Sequence, residues 1–191
     1  MKSKLGLDHP YTLVGMSSLA DVYHNSGRDD LALPLFKETL LLQEAKLGPD
    51  HPNTLISMNN LAAGYLRAGE SDFATSLLEE VLKRRKAKLG VDHPDTVSTM
   101  FDLGPLRMLA RDYAGAEELF LACEAAVASG QVGIRREIRD DIVARLVDLY
   151  DAWGKPKEAE MRLEKLPAEQ QIRVGLQRYN AWPLLWGRPQ F

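Results

Sequence analysis

The chain has 191 residues, one cysteine (Cys123), 24 Lys plus Arg against 27 Asp plus Glu, and a formal charge of −3. That near balance argues against a protein that coats nucleic acid, a single thiol excludes an intrachain disulfide scaffold, and no apolar run reaches the ~18 residues needed to cross a bilayer. At 45% hydrophobic and 27% charged residues the composition is that of a globular chain, and the opening Met1-Lys2-Ser3-Lys4 has no signal-peptide core, so a cytoplasmic location is expected.

The chain repeats itself. Lys4-Leu5-Gly6-Leu7-Asp8-His9-Pro10 returns as Lys46-Leu47-Gly48-Pro49-Asp50-His51-Pro52 and as Lys88-Leu89-Gly90-Val91-Asp92-His93-Pro94, with a spacing of 42 residues both times. Residues 4–45 and 46–87 align without a gap and share 19 identities in 42 positions. The third copy, 88–129, keeps the opening motif, Thr96, Met100, Leu103, Ala116 and Leu119. A degenerate fourth copy, 130–166, matches Leu146, Tyr150, Gly154 and Ala159 to Leu19, Tyr23, Gly27 and Ala32, with one residue inserted. A fixed period of this length marks a stacked repeat architecture.

Each copy reads as two helices. In the first, Asp8 or His9 caps a helix with Pro10 in its first turn. Leu13, Met16, Leu19, Ala20 and Tyr23 form its apolar face, and Gly27 supplies the left-handed stop. Asp29 or Asp30 caps a second helix running to about Ala45, with Leu31, Ala32, Leu35, Phe36, Leu40 and Leu41 as its stripe. The small residues Ala20 and Ala32, then Ala62 and Ala74, sit where paired helices come closest. In the third copy Gly104-Pro105 falls inside the first helix, where Pro105 is expected to kink it, and Arg107 replaces Tyr23 and Tyr65. No segment alternates with period two, so the expected class is all-α, an α-solenoid of antiparallel helix pairs. After the repeats, residues 167–191 read as a capping helix, with Ile172 and Leu176 on one face, followed by an apolar tail from Tyr179 to Phe191.

The run Leu61-Ala62, Tyr65, Gly69, Ala74, Leu78 resembles the tetratricopeptide repeat. The 42-residue period, with Leu47 to Leu55 and Met58-Asn59-Asn60-Leu61-Ala62, is similar to its kinesin-light-chain variant. The resemblance covers about residues 4–165. It implies a right-handed superhelix whose concave face, lined by the first helix of each repeat, binds an extended peptide or a partner protein. Carried over position by position, the groove is Val14, Ser17, Ser18, Asp21 and His24, then Ile56, Asn59, Asn60, Ala63 and Leu66, then Ser98, Phe101, Asp102, Pro105 and Met108. Chaperone-binding members clamp a C-terminal carboxylate with Lys, Arg and Asn at such positions. Here only Asn60 fits, while Asp21 and Asp102 oppose an acidic C-terminus. The Asn59-Asn60 pair has the donors and acceptors to meet a ligand backbone.

Other constellations point to structure. His9, His51 and His93 are repeat copies, each about a helix-pair width from the next, too far apart to share a metal. Cys123 falls on a buried stripe with no histidine near it in the expected layout. Lys83-Arg84-Arg85-Lys86 and Lys88 close a helix, where cations complement the dipole. There is no nucleophile elbow, phosphate loop or dinucleotide fingerprint, so no catalytic residue, metal or cofactor is expected. The partner is expected to be a protein or peptide, with neither nucleic acid nor membrane as target. The first repeat has no capping element before it, which implies a longer array or self-association. The resemblance leaves open a regulatory or oligomerisation segment of a bacterial signalling protein, for example behind a kinase domain, and a cargo-adaptor fragment.

Overall fold

The repeated His-Pro pairs start helices in the computed structural model, which describes residues 6, 9–130, 136–169, 171, 172 and 174. His9, His51 and His93 are N-caps: each backbone is extended, and each ring Nδ1 accepts from the N–H two residues on, at 3.3, 3.2 and 3.2 Å. The proline that follows occupies the first turn, where its missing N–H has no helical partner to lose. The elements in chain order are α1 (Pro10–Asn25), α2 (Asp29–Leu47), α3 (Pro52–Arg67), α4 (Ser71–Leu89), α5 (Pro94–Leu109), α6 (Tyr113–Ala128), α7 (Arg136–Ala152) and α8 (Pro156–Leu163). No strand occurs among the described residues. The chain divides into two compact units, 1–88 and 89–191.

In the first unit Ala20, Ala32, Phe36, Leu40, Leu55, Met58, Leu61 and Val81 form one core cluster. In the second, the fully buried residues include Met100, Leu103, Ala116, Phe120, Cys123, Leu146, Val147 and Ala159. The Cys123 thiol lies 3.5 Å from the Val97 carbonyl, a packed thiol as expected. The basic run folds onto its own unit. Arg84 pairs with Glu80 at 2.7 Å and donates to the Pro49 carbonyl, Lys88 donates to the Asp50 carbonyl, and Arg85 is buried.

Several expectations are corrected. Arg28, not Asp29 or Asp30, is the N-cap of α2, without a side-chain bond; the two aspartates lie in its first turn, where they meet the positive end of the dipole. Helix α2 extends to Leu47 and passes through Pro34. Leu19 and Leu41, placed on buried stripes by their spacing, are exposed, as is Ile172. Helix α5 continues through Pro105 to Leu109. The proline withholds one N–H from the Phe101 carbonyl, and Gly104 before it has no Cβ to clash with the ring. Residues 179–191 lie outside the described residues.

Gly104 has a second role. It occupies the repeat position of Ala20 and Ala62, and a Cβ there would collide with the Phe120 ring, which is itself fully buried. The Phe120 ring therefore occupies the space that a Cβ at position 104 would take. Gly104→Ala is expected to cost about 1–3 kcal/mol through overpacking. Gly15→Ala, with nothing within 4 Å of the added carbon, should gain about 0.5–1 kcal/mol from helix propensity. Thermal unfolding followed by circular dichroism reads both; equal effects of the two changes would contradict the packing account.

The turn between paired helices also repeats. Arg28, Glu70, Asp112 and Lys155 donate backbone bonds of 2.8–2.9 Å to the carbonyls of Tyr23, Tyr65, Arg107 and Tyr150. The residue before each donor has positive φ: Gly27 (75°), Gly69 (79°), Arg111 (60°) and Gly154 (74°). This is the left-handed helix stop, and three of the four use glycine. Arg111 adopts a conformation that costs an L-residue about 1–2 kcal/mol. Arg111→Gly should therefore raise the melting temperature by about 2–4 °C, a gain that no surface arginine lost elsewhere would give.

Candidate functional site

The candidate residues divide between the two units, and each face is described within its own. In the first unit they lie on α1 and α3. Ser17, Asp21, His24, Asn59, Asn60 and Ala63 are half-buried, while Val14 and Ile56 are 50% and 45% exposed. Asn60 Nδ2 donates to Asp21 Oδ1 at 2.8 Å, which ties α3 to α1 across the face. The bond joins residues 39 apart, one period less one turn. Asn59 lies beside it with its carbonyl oxygen buried and without a hydrogen-bond partner among the described residues. The two amides are therefore not the equivalent pair that the sequence offered: Asn60 is committed to a carboxylate, and Asn59 alone is uncommitted.

His24 is committed as well. Its Nδ1 lies 2.8 Å from Asp29 Oδ1, and its ring meets Phe36 edge-on at 6.0 Å. Arg67 completes the node. Its Nε is 3.1 Å from Asp29 Oδ2, and its Nη1 donates to the His24 carbonyl at 2.6 Å, satisfying an end-of-helix acceptor of α1. One carboxylate thus joins α1, α2 and α3. The repeat pattern carried no signal for this node, because Arg67 and Asp29 occupy positions whose counterparts are not charged alike.

In the second unit, α5 carries Ser98, Phe101, Asp102 and Pro105. Ser98 and Asp102 are exposed; Phe101 and Pro105 are half-buried. The Phe101 ring meets Phe120 edge-on at 6.3 Å and has the Arg145 guanidinium of α7 over it at 5.8 Å, a cation–π contact. Arg145 was not foreseen, since it lies in the degenerate fourth copy. Arg107, which replaces the tyrosine of the earlier copies, pairs with Asp112 at 2.6 Å. Asp112 Oδ1 in turn accepts from Gly115 N–H at 3.0 Å and caps α6. The Arg107 bond and the Gly115 N–H hold the Asp112 carboxyl below the usual range. The same turn in the first unit stacks Arg28 over Tyr23, so cation and aromatic there are replaced here by cation and carboxylate.

Burial pushes the Asp21 carboxyl above its ordinary value of 3.8, opposed by the charge of nearby His24. A raised folded value means that the folded chain binds more protons just above pH 3.8. Stability attributable to Asp21 therefore falls as pH rises through that window. Asp21→Asn keeps an acceptor for Asn60 and removes the charge. Its unfolding midpoint relative to the parent should rise between about pH 4 and pH 7; a difference that shrinks over that range would contradict the sign.

Residues 11–87 match the family model of the tetratricopeptide repeat. Over those residues the chain is similar to tetratricopeptide repeats, and the described residues are all helical, in consecutive helix pairs. Two solved structures carry the likeness further: the nearly identical TPR-like repeats of a kinesin light chain from Podosopora anserina are 25% identical over 93% of each chain, with a TM-score of 0.74. A point-substituted form of that protein is 24% identical over 95% of this chain and 93% of its own, also at 0.74. BtubC (BKLC) from P. vanneervenii shares the fold at 18% identity, over 93% of this chain and 68% of that one, with a TM-score of 0.77. The repeats of this chain are similar in fold to those kinesin-light-chain repeats. No curated protein matches the sequence.

Proposed function

We propose that this chain is a non-enzymatic, cytoplasmic binding module, and that the face formed by α1 and α3 holds an extended segment of a partner protein. The helix pairs correspond to repeats at 4–45, 46–87 and 88–129, a degenerate repeat at 130–166, and a terminal segment at 167–191. The observation that carries the reading is the make-up of that face. Exposed Val14 and Ile56 flank the Asp21–Asn60 bond, with the uncommitted Asn59 amide beside it. Neighbouring first helices of a solenoid lie about 10 Å apart, which an extended peptide spans in about three residues. Alternate side chains then meet the apolar positions while the backbone passes the half-buried Asn59 amide, the mode in which main-chain bonds give affinity and pockets give specificity.

Charge narrows the partner. The face residues named in α1 and α3 include no lysine or arginine, and Asp21 is a carboxylate kept near its neighbour Asn60. An acidic C-terminal peptide has nothing to pair with there and would meet like charge. The partner segment is internal and neutral or basic, with an apolar side chain at every second position.

Peptides selected from a random display library on the intact protein provide the test. Ile56→Glu changes an exposed side chain and should leave the melting temperature within the ~0.5 kcal/mol range of surface substitutions. It should weaken binding of the selected peptides at least tenfold. Peptides that bind Ile56→Glu as well as the parent, or a selection dominated by acidic C-termini, would overturn the reading.

A further inference from the structure

We propose that the turn between α3 and α4 is a docking point for an arginine side chain of a partner protein, which stacks on the open face of Phe73 beside Glu70. This inference goes beyond the groove reading and is independent of it, because neither residue belongs to the face of α1 and α3 described above.

The four equivalent turns bring the same two positions together, because the residue after each left-handed stop donates its N–H to the carbonyl of the fifth residue before it. In the first turn these are Tyr23 and Arg28, and the guanidinium lies 5.2 Å from the ring centroid. In the fourth they are Tyr150 and Lys155, and the ammonium lies 6.0 Å from that ring and 3.1 Å from the Trp153 ring. In the third, Arg107 and Asp112 pair at 2.6 Å. Each of these turns matches a cation to a ring or to a carboxylate within itself. The second turn does not. It sets Glu70 at the place of Arg28 and Lys155 while keeping the ring of Tyr65, and the negative face of a ring does not attract a carboxylate.

The second turn also holds a ring that its neighbours lack. Phe73 stands where the first and third copies have Leu31 and Gly115. It is stacked on Tyr65, with 5.3 Å between centroids and 23° between planes, and is still 59% exposed. Tyr65 is engaged by Phe73 and by Lys37, whose ammonium lies 4.9 Å from its centroid. The open aromatic face is therefore that of Phe73. Glu70 precedes Phe73 by three residues and Asp72 adjoins it, and both are exposed. A bare ring with carboxylates beside it fits a cation, and shape selects which one. A guanidinium is planar, so it stacks flat on a ring while its N–H edge meets a carboxylate. An ammonium is a compact and strongly hydrated charge that does one or the other. The positive end of the α4 dipole opposes any cation here. The chain shows the same opposition overcome at the start of α2, where Arg28 sits at the N-cap with Asp29 and Asp30 beside it.

Nuclear magnetic resonance titration of the full chain with a blocked glycine–arginine–glycine tripeptide tests this. One side-chain contact gives millimolar affinity at best, which this measurement reads. The tripeptide should cause saturable shifts centred on the amides of residues 70–74. It should bind about fivefold tighter than the same tripeptide with lysine, and the norleucine form should give no saturable shift. Phe73→Ala should abolish the response by removing the ring. Glu70→Arg should abolish it by supplying the cation from the chain itself, as Arg28 does in the first turn. Both residues are exposed, so the helical circular dichroism of the two variants should match that of the parent. Equal binding of the arginine and lysine forms, a response that persists in Phe73→Ala or Glu70→Arg, or no saturable shift at residues 70–74 would each overturn the proposal.

Discussion

How closely two helices approach decides most of this structure. Ala20 and Ala62 on first helices, and Ala32, Ala74, Ala116 and Ala159 on second helices, have no exposed surface. At Gly104 the Phe120 ring lies so close that even a methyl group would collide with it. Close approach lets the larger side chains on either side interlock at the density of a protein interior. It also leaves each helix pair with an apolar side that the pair cannot bury alone, which is why successive pairs within a unit pack together.

Most of the polar side-chain contacts fasten the scaffold. Asp29, His24 and Arg67 fasten three helices at one end of the first unit. In the second unit Arg162 pairs with Glu124 at 2.6 Å, and the Tyr150 hydroxyl donates to Glu117 at 2.6 Å. Burial and the Glu117 carboxylate hold the Tyr150 phenol above its usual range, so the hydroxyl remains a donor. Once these are set aside, the face of α1 and α3 retains one amide without a partner and two exposed aliphatic side chains. That make-up is what the proposed recognition of backbone and apolar side chains rests on.

The architecture was legible because it is periodic. Histidine caps and second-helix alanines recur every 42 residues in three copies, and glycine stops and first-helix alanines in two, so each local signal was seen more than once. What escaped was aperiodic. Arg111 hid in a left-handed position because a side chain there gives no composition signal. The commitment of His24 and Asn60 to Asp29 and Asp21 depends on which turn of one helix faces which turn of the next, and spacing along a single helix does not contain that register. Leu19 and Leu41 were misplaced for the converse reason. Apolar spacing names a face, but a face is buried only if something covers it.

Thermal unfolding of Ala74→Leu beside Ala87→Leu addresses the central claim most directly. Both substitutions are conservative in helix propensity, but Ala74 is wholly buried and Ala87 exposed. Close helix approach predicts that Ala74→Leu lowers the melting temperature by several degrees while Ala87→Leu leaves it nearly unchanged, consistent with an overpacking cost of about 1–3 kcal/mol. Equal melting of the two variants would show that the paired helices have room to spare at that contact, and would contradict the account.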